Sequence, residues 1–166
     1  MNKVLHPFLP VVNEDSKVLI LGSFPSVVSR KNNFYYGNKN NRFYKILNSL
    51  FNLDYDLNLK SNEFKKEFLL EHKIALFDVV KSCEIIKSCD NSINSVEYND
   101  IENIIKNSKI SLIILNGEKA YKIFLNYLVK HKMNVKHIKL PSTSSANAKA
   151  SLESLIKSYA VILNYL

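Results

Sequence analysis

The sequence predicts an α/β protein built on a mostly parallel sheet. Three observations support this class: short β-branched runs recur along the chain, helical apolar patterns lie between them, and most of the runs are apolar throughout. Continuous apolar runs are typical of strands that are covered on both faces. Strands that alternate with helices indicate right-handed βαβ crossovers, which make neighbouring strands parallel.

Four segments are predicted to be strands. They are "KVLILGS" (17–23), "IALFDVV" (74–80), "ISLIILNG" (110–117) and "VKHIKLPS" (135–142). The first three are almost entirely apolar, so we expect them to be buried on both faces of the sheet. The first ends in Gly-Ser, which suits a sharp turn and a close approach of a ligand to the backbone.

The segments between and after these runs carry helical patterns. They are 41–51, 61–73, 99–107, 117–131 and 145–166. In the first of them the apolar residues fall 3, 4, 7 and 8 positions after Phe43, which places them in one stripe. Asn41 or Asn40 is expected to cap this helix, Ser61 the second and Asn99 the third.

Length and composition limit the class of protein. A chain of 166 residues favours one domain, 1–166, with a real core. Hydrophobic residues make up 46% and charged residues 23%, which argues against a disordered chain. No run of 18 apolar residues occurs, so we expect no membrane span, and the first residues lack a secretory pattern, so we expect a cytoplasmic protein.

Cofactor and metal motifs are missing from the sequence. The patterns GxGxxG, GxxxxGK[ST], HExxH and GxSxG do not occur. Cys83 and Cys89 have no second pair and no nearby histidine, so free thiols are favoured over a disulfide or a metal site. We therefore expect neither a cofactor nor a metal.

The charge balance favours an anionic partner. The net charge is +8, and ten lysines but only two acids, Glu118 and Glu153, lie between Lys106 and Lys157. Lysines clustered in one part of a chain suit contact with a phosphate backbone. A solvated lysine-rich face explains the same pattern, so charge alone leaves both interpretations open.

The carboxyl ends of the predicted strands carry polar groups. Ligands of open parallel sheets bind beyond these ends. The ends are 22–25, 78–80, 116–117 and 140–144, with the aromatic loop 34–37 above them. Amides, hydroxyls, one carboxylate and aromatic rings suit a flat heterocycle, because rings stack on it and amides read its edge. The histidines, at 6, 72, 131 and 137, are scattered, and none is expected at a strand end.

Three motifs carry a family resemblance. "LGSFPS", "FYYGNKNNRFY" and "LPSTSSANA" resemble, in order, the motif regions of the hypoxanthine (deoxyinosine)-DNA glycosylase branch of the uracil-DNA glycosylase superfamily. The resemblance implies a three-layer α/β/α sandwich around a four-stranded parallel sheet. It also implies a monomeric base excision repair enzyme that flips a deaminated base out of double-stranded DNA and hydrolyses its N-glycosidic bond.

The resemblance assigns roles to residues of the cleft. Asn41 matches the position that orients the attacking water, although it also suits a helix cap. Tyr36 matches the ring on which the flipped base stacks, although a core tyrosine is the alternative. Asp78 and Asn116 match base-reading positions; a helix cap or lysine pair for Asp78, and a tight turn for Asn116, remain open. Phe24 lines the base site but stands where many members carry a water-activating Asn or Asp.

The last motif implies contact with DNA. Its residues match the loop that presses into the duplex and holds phosphates through hydroxyls and backbone N–H groups. The residues assigned to DNA are Ser23, Pro141, Ser142, Thr143 and Ser144. Leu140 stands where some members place a histidine that stabilises the departing base, so another group must do this.

Two other functions are compatible with these residues. A mismatch-specific uracil- or thymine-DNA glycosylase shares the fold, but Phe24 argues against it. A catalytically silent nucleic-acid-binding module would keep the fold and the basic C-terminal third. Hypoxanthine is the expected base, with uracil as a second substrate.

Overall fold

Most predicted segments form regular elements in the computed structural model of the chain, which describes residues 2–85 and 93–166. The strands are β1 (Asn2–Leu5), β2 (Val18–Gly22), β3 (Ile74–Asp78), β4 (Val80–Ile85), β5 (Ile93–Tyr98), β6 (Leu112–Asn116) and β7 (His137–Leu140). The helices are α1 (Val27–Asn32), α2 (Phe43–Leu50), α3 (Asn62–Glu71), α4 (Ile101–Lys106), α5 (Glu118–His131) and α6 (Leu152–Tyr159), with 3-10 turns at Leu57–Leu59 and Ala160–Asn164.

The four predicted strands form one parallel sheet in the order β3-β2-β6-β7. Gly22 pairs with Asp78, and Asn116 pairs with Leu140. Leu21 and Leu115, each one residue before the end of its strand, pair with each other, so Gly22 and Asn116 lie side by side. The four strand ends therefore lie in a single row across the sheet. The polar groups that follow the strands therefore meet at one edge.

The sheet is covered on both faces. Every residue of β2 and β3 is buried, apart from a small exposed fraction of Phe77 and Asp78, and β6 is buried up to Leu115. A parallel strand buries both faces only when helices pack on each side. The predicted three-layer α/β/α sandwich is thus confirmed. Aromatic side chains of α2 and α5, among them Phe43, Tyr44 and Phe124, fill the core.

A second, antiparallel sheet was not predicted. It has the order β1-β4-β5, and its strand β4 begins directly after β3. The run 74–80 is therefore two strands rather than one. Asn99 holds the junction, because its Nδ2 donates to the carbonyl oxygens of Asp78 (2.9 Å) and Val80 (3.2 Å).

Helix boundaries follow the capping residues. Ser61 caps α3 as predicted, since its Oγ accepts from the Phe64 N–H. The predicted Asn99 cap is wrong: Asp100 caps α4, while Asn99 is buried at the strand junction. The last helix begins only at Leu152, because Ser151 caps it and the residues before it form a loop. Helix α1 lies in a segment for which the sequence pattern predicts no helix.

The N-terminal segment passes the carboxyl end of β3 and then runs antiparallel to that strand. Leu5 pairs with Ser82, the His6 N–H donates to the Lys81 carbonyl oxygen, and Val11 forms an antiparallel bridge with Leu76. These pairings hold residues 6–10 beside the carboxyl end of β3. A histidine from the far end of the sequence is thereby brought to the predicted cleft.

Two sequence predictions concern other parts of the fold. Cys83 is buried in β4, and Cys89 lies outside the described residues, so the expectation of free thiols stays a prediction. Among residues 2–85 and 93–166, no helix has both the length and the apolar content that a bilayer crossing requires.

Candidate active site

A cavity of about 470 Å³ opens at the carboxyl ends of the parallel strands. It brings together most of the predicted site residues. Those that line it are Ser23, Phe24, Tyr36, Asn41, Asp78, Asn116, Ser142, Thr143 and Ser144. Pro141 is the exception: it is exposed, and its carbonyl oxygen accepts from the Tyr159 hydroxyl (3.0 Å). The strand-end rule therefore located the cleft.

Gly22 leaves room for Asp78 on the cavity floor. A side-chain carbon added at Gly22 would overlap Asp78 Oδ1 and would lie 3.6 Å from the Tyr36 hydroxyl oxygen. The absence of a side chain therefore lets the Asp78 carboxylate and the Tyr36 hydroxyl come close to the backbone of the first strand end.

Asp78 forms a buried pair with His6. The distance from His6 Nε2 to Asp78 Oδ2 is 2.7 Å, and the two side chains are only 2% and 6% exposed. The predicted helix cap and lysine pair for Asp78 are therefore both wrong. The expectation that no histidine lies at a strand end is wrong as well, because a long-range antiparallel pairing supplies one.

Aromatic rings surround the His6 imidazole. Phe8, Phe24, Tyr35 and Phe77 have ring centroids 5.4 to 5.9 Å from it, mostly edge-on. An apolar shell strengthens electrostatic interactions inside it. The His6–Asp78 contact therefore lies in a setting where a hydrogen bond is stronger than at the surface.

Tyr36 is held in a strained conformation. Its φ is 53°, a left-handed value that non-glycine residues rarely adopt. Neighbouring bonds fix the loop around it, since Ser29 Oγ accepts from the Gly37 N–H and Asn32 Nδ2 donates to the Gly37 carbonyl oxygen. Strained residues cluster at functional sites.

The Tyr36 ring packs against Phe43, with centroids 4.3 Å apart. Its hydroxyl is buried and has no hydrogen-bond partner within residues 2–85 and 93–166. Burial, and then the Asp78 charge, raise the pKa of Tyr36, while the nearby Asn116 amide lowers it by less. The hydroxyl therefore stays protonated at physiological pH and remains a donor.

Asn41 reaches both the helix α2 and the cavity. Its Oδ1 accepts from the N–H of Phe43 (2.9 Å), the first residue of α2. The predicted Asn40 or Asn41 cap is nevertheless wrong in position, because the N-cap residue is Arg42, which makes no side-chain cap bond. The same oxygen accepts from the Thr143 hydroxyl (2.8 Å). These two bonds fix the plane of the Asn41 amide at the cavity wall.

Asn116 is tied to the same threonine. Its Oδ1 accepts from the Thr143 N–H and its Nδ2 donates to Thr143 Oγ1, both at 3.0 Å. Asn116, Thr143 and Asn41 thus form a continuous hydrogen-bonded chain across the cleft. Gly117, at φ 97°, makes the turn after β6, which agrees with the tight turn considered for this position.

Thr143 differs from its predicted role. It is fully buried, and its N–H and hydroxyl are both bonded to protein groups. It therefore joins the two amides rather than presenting its hydroxyl to a phosphate. Ser142 and Ser144, which flank it, are half-buried and face the cavity.

Arg42 organises the loop that follows β7. Its guanidinium donates to the carbonyl oxygens of Ser144 (2.6 Å), Asn147 (3.0 Å) and Ala150, and its Nε donates to that of Thr143 (3.3 Å). Its backbone N–H donates to the Thr143 carbonyl as well. One side chain from α2 therefore fixes the loop predicted to contact DNA.

Sequence reasoning missed His6 and Arg42. Neither belongs to a local pattern: His6 depends on the pairing of β1 with β4, and Arg42 acts on carbonyls about one hundred residues away. The signal available for Arg42 was that it is one of two arginines in a lysine-rich chain. A single planar guanidinium offers several donors, which a lysine cannot do.

In the part of the chain that the structure describes, no three His, Cys, Asp or Glu side chains are grouped as a metal site would require.

Comparison with known proteins identifies the family. The family model of the uracil DNA glycosylase superfamily matches residues 9–166. The chain is 33% identical to a hypoxanthine DNA glycosylase of Methanosarcina acetivorans over 147 residues, 87% of this chain and 89% of that one. It is 34% identical to a hypoxanthine DNA glycosylase of Methanosarcina barkeri over 115 residues, 68% and 71% of the two chains.

A solved structure is similar over almost the whole chain. It is the solution NMR structure of a candidate uracil DNA glycosylase from Methanosarcina acetivorans, with a TM-score of 0.76 and 29% identity, covering 94% of this chain and 96% of the other. Together with the parallel sheet and the cleft at its strand ends, these matches show that the chain belongs to the uracil DNA glycosylase superfamily.

Proposed function

We propose that this chain is a monofunctional DNA glycosylase that hydrolyses the N-glycosidic bond of a deaminated base, hypoxanthine first, after the base has been flipped out of duplex DNA. The observation that carries this proposal is the strand-end cavity, in which an amide chain, a carboxylate and a strained aromatic residue converge. Two relatives named hypoxanthine DNA glycosylase support the choice of base.

The cavity suits a single base. Its volume of about 470 Å³ lies in the usual range of small-ligand pockets, roughly 300–1,000 Å³. A base inside a duplex cannot reach such a cleft, so the nucleotide must leave the stack first. Tyr36 then offers a ring, and Asp78 and Asn116 offer polar atoms near the base edge.

Hydrolysis requires a water near the sugar. The bond from C1′ to the base nitrogen breaks and the base departs with the electron pair, so C1′ becomes nearly cationic. The water oxygen then bonds to C1′, and the proton that leaves the water neutralises the departed base. Such a cation needs little help from a strong base, so a positioned amide is sufficient. In our proposal Asn41 holds this water.

Thr143 makes this role compatible with the bonds of Asn41. The Asn41 Oδ1 already accepts from the Phe43 N–H and the Thr143 hydroxyl. A hydroxyl rotates about its C–O bond, so the Thr143 proton can turn away when a water donates to Asn41. The amide itself does not move, because the Phe43 N–H continues to hold it.

The loop after β7 is proposed to grip the DNA backbone. Ser142 and Ser144 present hydroxyls at the rim of the cavity, and Lys119 lies on the same rim. Hydroxyls, N–H groups and lysines hold phosphates without reading the sequence. We assign Pro141, the exposed residue before them, to the surface of the duplex.

A base-release assay tests the proposal. Duplexes that carry a single inosine, uracil, xanthine or thymine mismatch are incubated with the protein, and the free base is quantified. We expect hypoxanthine to be released fastest and uracil next. Faster release of mismatched thymine or uracil would favour a mismatch-specific enzyme, and binding without any release would favour a silent DNA-binding module.

The remaining predictions concern the state of the enzyme. We propose that residues 1–166 act as one monomeric domain in the cytoplasm and that catalysis needs no metal. Sedimentation of the protein with and without an inosine duplex reports its stoichiometry. Base release in excess chelator tests the metal prediction, and a reversible loss of activity would contradict it.

A further inference from the structure

We propose that His6 is a positioning residue of the base pocket: it orients the Asp78 carboxylate so that Asp78 Oδ1 accepts the ring N–H that deamination of adenine or cytosine creates. The inference rests on the proposed function and deepens it, because it names the group that separates hypoxanthine from adenine and uracil from cytosine. His6 lies before the segment 9–166 that the family model matches.

The two oxygens of the Asp78 carboxylate have different neighbours. Oδ2 lies 2.7 Å from His6 Nε2, on the side of the N-terminal segment. Oδ1 lies on the side of Gly22, where a side-chain carbon would overlap it, and both residues line the cavity. The carboxylate is thus held by one oxygen and presents the other towards the cleft.

The His6 ring can keep its Nε2 proton in either charge state. Its Nδ1 lies 3.0 Å from the Phe8 carbonyl oxygen and 3.2 Å from the Phe8 backbone nitrogen. The Phe8 N–H can donate to a neutral Nδ1, and the Phe8 carbonyl can accept from a protonated one. Nε2 therefore remains a donor to Asp78 across the neutral range.

Deamination reverses the hydrogen-bonding pattern that such a carboxylate meets. In adenine the ring nitrogen N1 is an acceptor, whereas in hypoxanthine it carries a proton; N3 of cytosine and of uracil differ in the same way. An ionised carboxylate accepts from an N–H and repels a lone pair. The His6–Asp78 pair therefore favours hypoxanthine over adenine and uracil over cytosine.

Other ionisable groups lie around the pair. Burial raises the pKa of Tyr35 and of Tyr36, and the Asp78 charge raises both further, so their hydroxyls stay protonated. The Arg30 guanidinium lies 5.6 Å from the Phe24 ring centroid. Glu118 and Lys119 lie on the rim of the same cavity.

Removing His6 should change base selection. A buried carboxylate without its partner takes up a proton and becomes a donor at the position where an acceptor is needed. We expect His6→Leu to lower hypoxanthine release at pH 7 by about tenfold or more, with recovery as the pH rises. His6→Gln, whose amide N–H can still donate to Oδ2, should stay close to the unmodified protein.

The experiment measures single-turnover release from two duplexes between pH 6 and pH 9. One carries deoxyinosine and the other deoxynebularine, whose purine base has an acceptor at N1 and no ring N–H there. His6→Leu should lower the preference for inosine about tenfold, and His6→Gln should retain it. His72→Leu is the matched control, because its ring Nδ1 bonds to Phe68 at the end of α3, and it should change neither preference nor pH profile.

The outcomes separate this inference from the proposed function. Two results overturn the role of His6 alone. One is equal slowing on both duplexes without recovery at high pH, and the other is no effect of His6→Leu. Failure of the unmodified protein to release any base overturns both. If His6→Leu does not fold, His6→Phe provides the test, since it keeps an aromatic ring in the shell and removes the donor to Asp78. It should lower the inosine preference, and an unchanged preference overturns the inference.

Discussion

At the residue scale, the site depends on groups that each serve two purposes. Asn41 accepts from the Phe43 N–H at the start of α2 and also lines the cavity, and Thr143 joins it to Asn116. The bond from Phe43 explains why an asparagine suits this position locally, but it needs only the side-chain oxygen. The bond from Thr143 shows that the amide is also fixed relative to the cleft.

We predict that Asn41→Ala lowers base release about a hundredfold or more while duplex binding stays within a few-fold of normal. The reason is that the variant removes the group assigned to the water but no group assigned to phosphates. Release and binding are measured on the same inosine duplex. Asn40→Ala, which changes the exposed neighbouring amide, is the control and should remain active.

Loss of the bond between Asn41 Oδ1 and the Phe43 N–H is a separate effect of the Asn41 variant. It should cost about 1 kcal/mol of folding stability, which a thermal melt detects. Activity is therefore assayed well below the melting temperature. Retained base release in a folded Asn41→Ala protein would remove Asn41 from the mechanism.

Tyr36 carries the second prediction at this scale. Tyr36→Ala should erase the tighter binding of an inosine duplex over an undamaged one, because stacking of a base on a ring contributes about 1–3 kcal/mol. Affinities for both duplexes are measured at several salt concentrations, and the salt dependence should not change.

Tyr36→Phe is the matched control for the ring. It keeps the stacking surface and removes a hydroxyl that is buried without a partner in the described part of the chain. We expect it to retain the inosine preference and to fold at least as stably, because removing an unpaired buried polar group relieves its desolvation cost. Equal weakening of both duplexes by Tyr36→Ala would argue against base stacking.

At the element scale, the loop from Pro141 to Ala150 is stabilised from outside itself. It has little regular structure, yet Arg42 of the preceding motif donates to four of its carbonyl groups. Hydrogen bonds to a charged group contribute roughly 1.5–3 kcal/mol each. The loop can therefore keep one conformation without regular secondary structure of its own.

Arg42→Gln should weaken duplex binding about tenfold, because the loop loses its fixed conformation. Lys45→Gln is the control, since it removes the same charge from an exposed position on the same helix. Both affinities are measured at one salt concentration. Equal losses in the two variants would show that Arg42 acts only through its charge.

At the scale of the whole molecule, positive charge exceeds negative charge in the C-terminal third. Its acids are already engaged by lysines: Glu118 pairs with Lys122 and Lys139, and Glu153 pairs with Lys157. Exposed ion pairs of this kind contribute little to stability. The remaining lysines agree with an anionic partner and also with a solvated face, and the salt dependence of binding separates the two.

We predict that duplex affinity falls steeply with salt. If four to six phosphates are neutralised, the slope of log affinity against log salt should be roughly −4 to −5, at about −0.9 per phosphate. Binding to an undamaged duplex is measured by titration at increasing salt. A shallow slope, or equal affinity for unrelated polyanions, would indicate a solvated lysine-rich face instead.

The parallel sheet and the position of the cleft follow from the sequence pattern alone. Apolar runs such as 17–23 and 110–117 are recognisable locally, because a strand buried on both faces needs apolar residues throughout. The polar residues after them, including Asp78 and Asn116, then had to meet at one edge. Capping at Ser61 is also local, since a cap contacts its own first turn.

The hydrogen-bond partners of the cleft side chains depend on the tertiary structure. His6 reaches Asp78 through strand pairings between residues more than seventy positions apart, and Arg42 reaches a loop about one hundred positions away. Such contacts depend on chain topology and register, which no local periodicity encodes. For the same reason Thr143, a hydroxyl expected to face DNA, lies buried between two amides: its direction follows from the packing of the loop against α2.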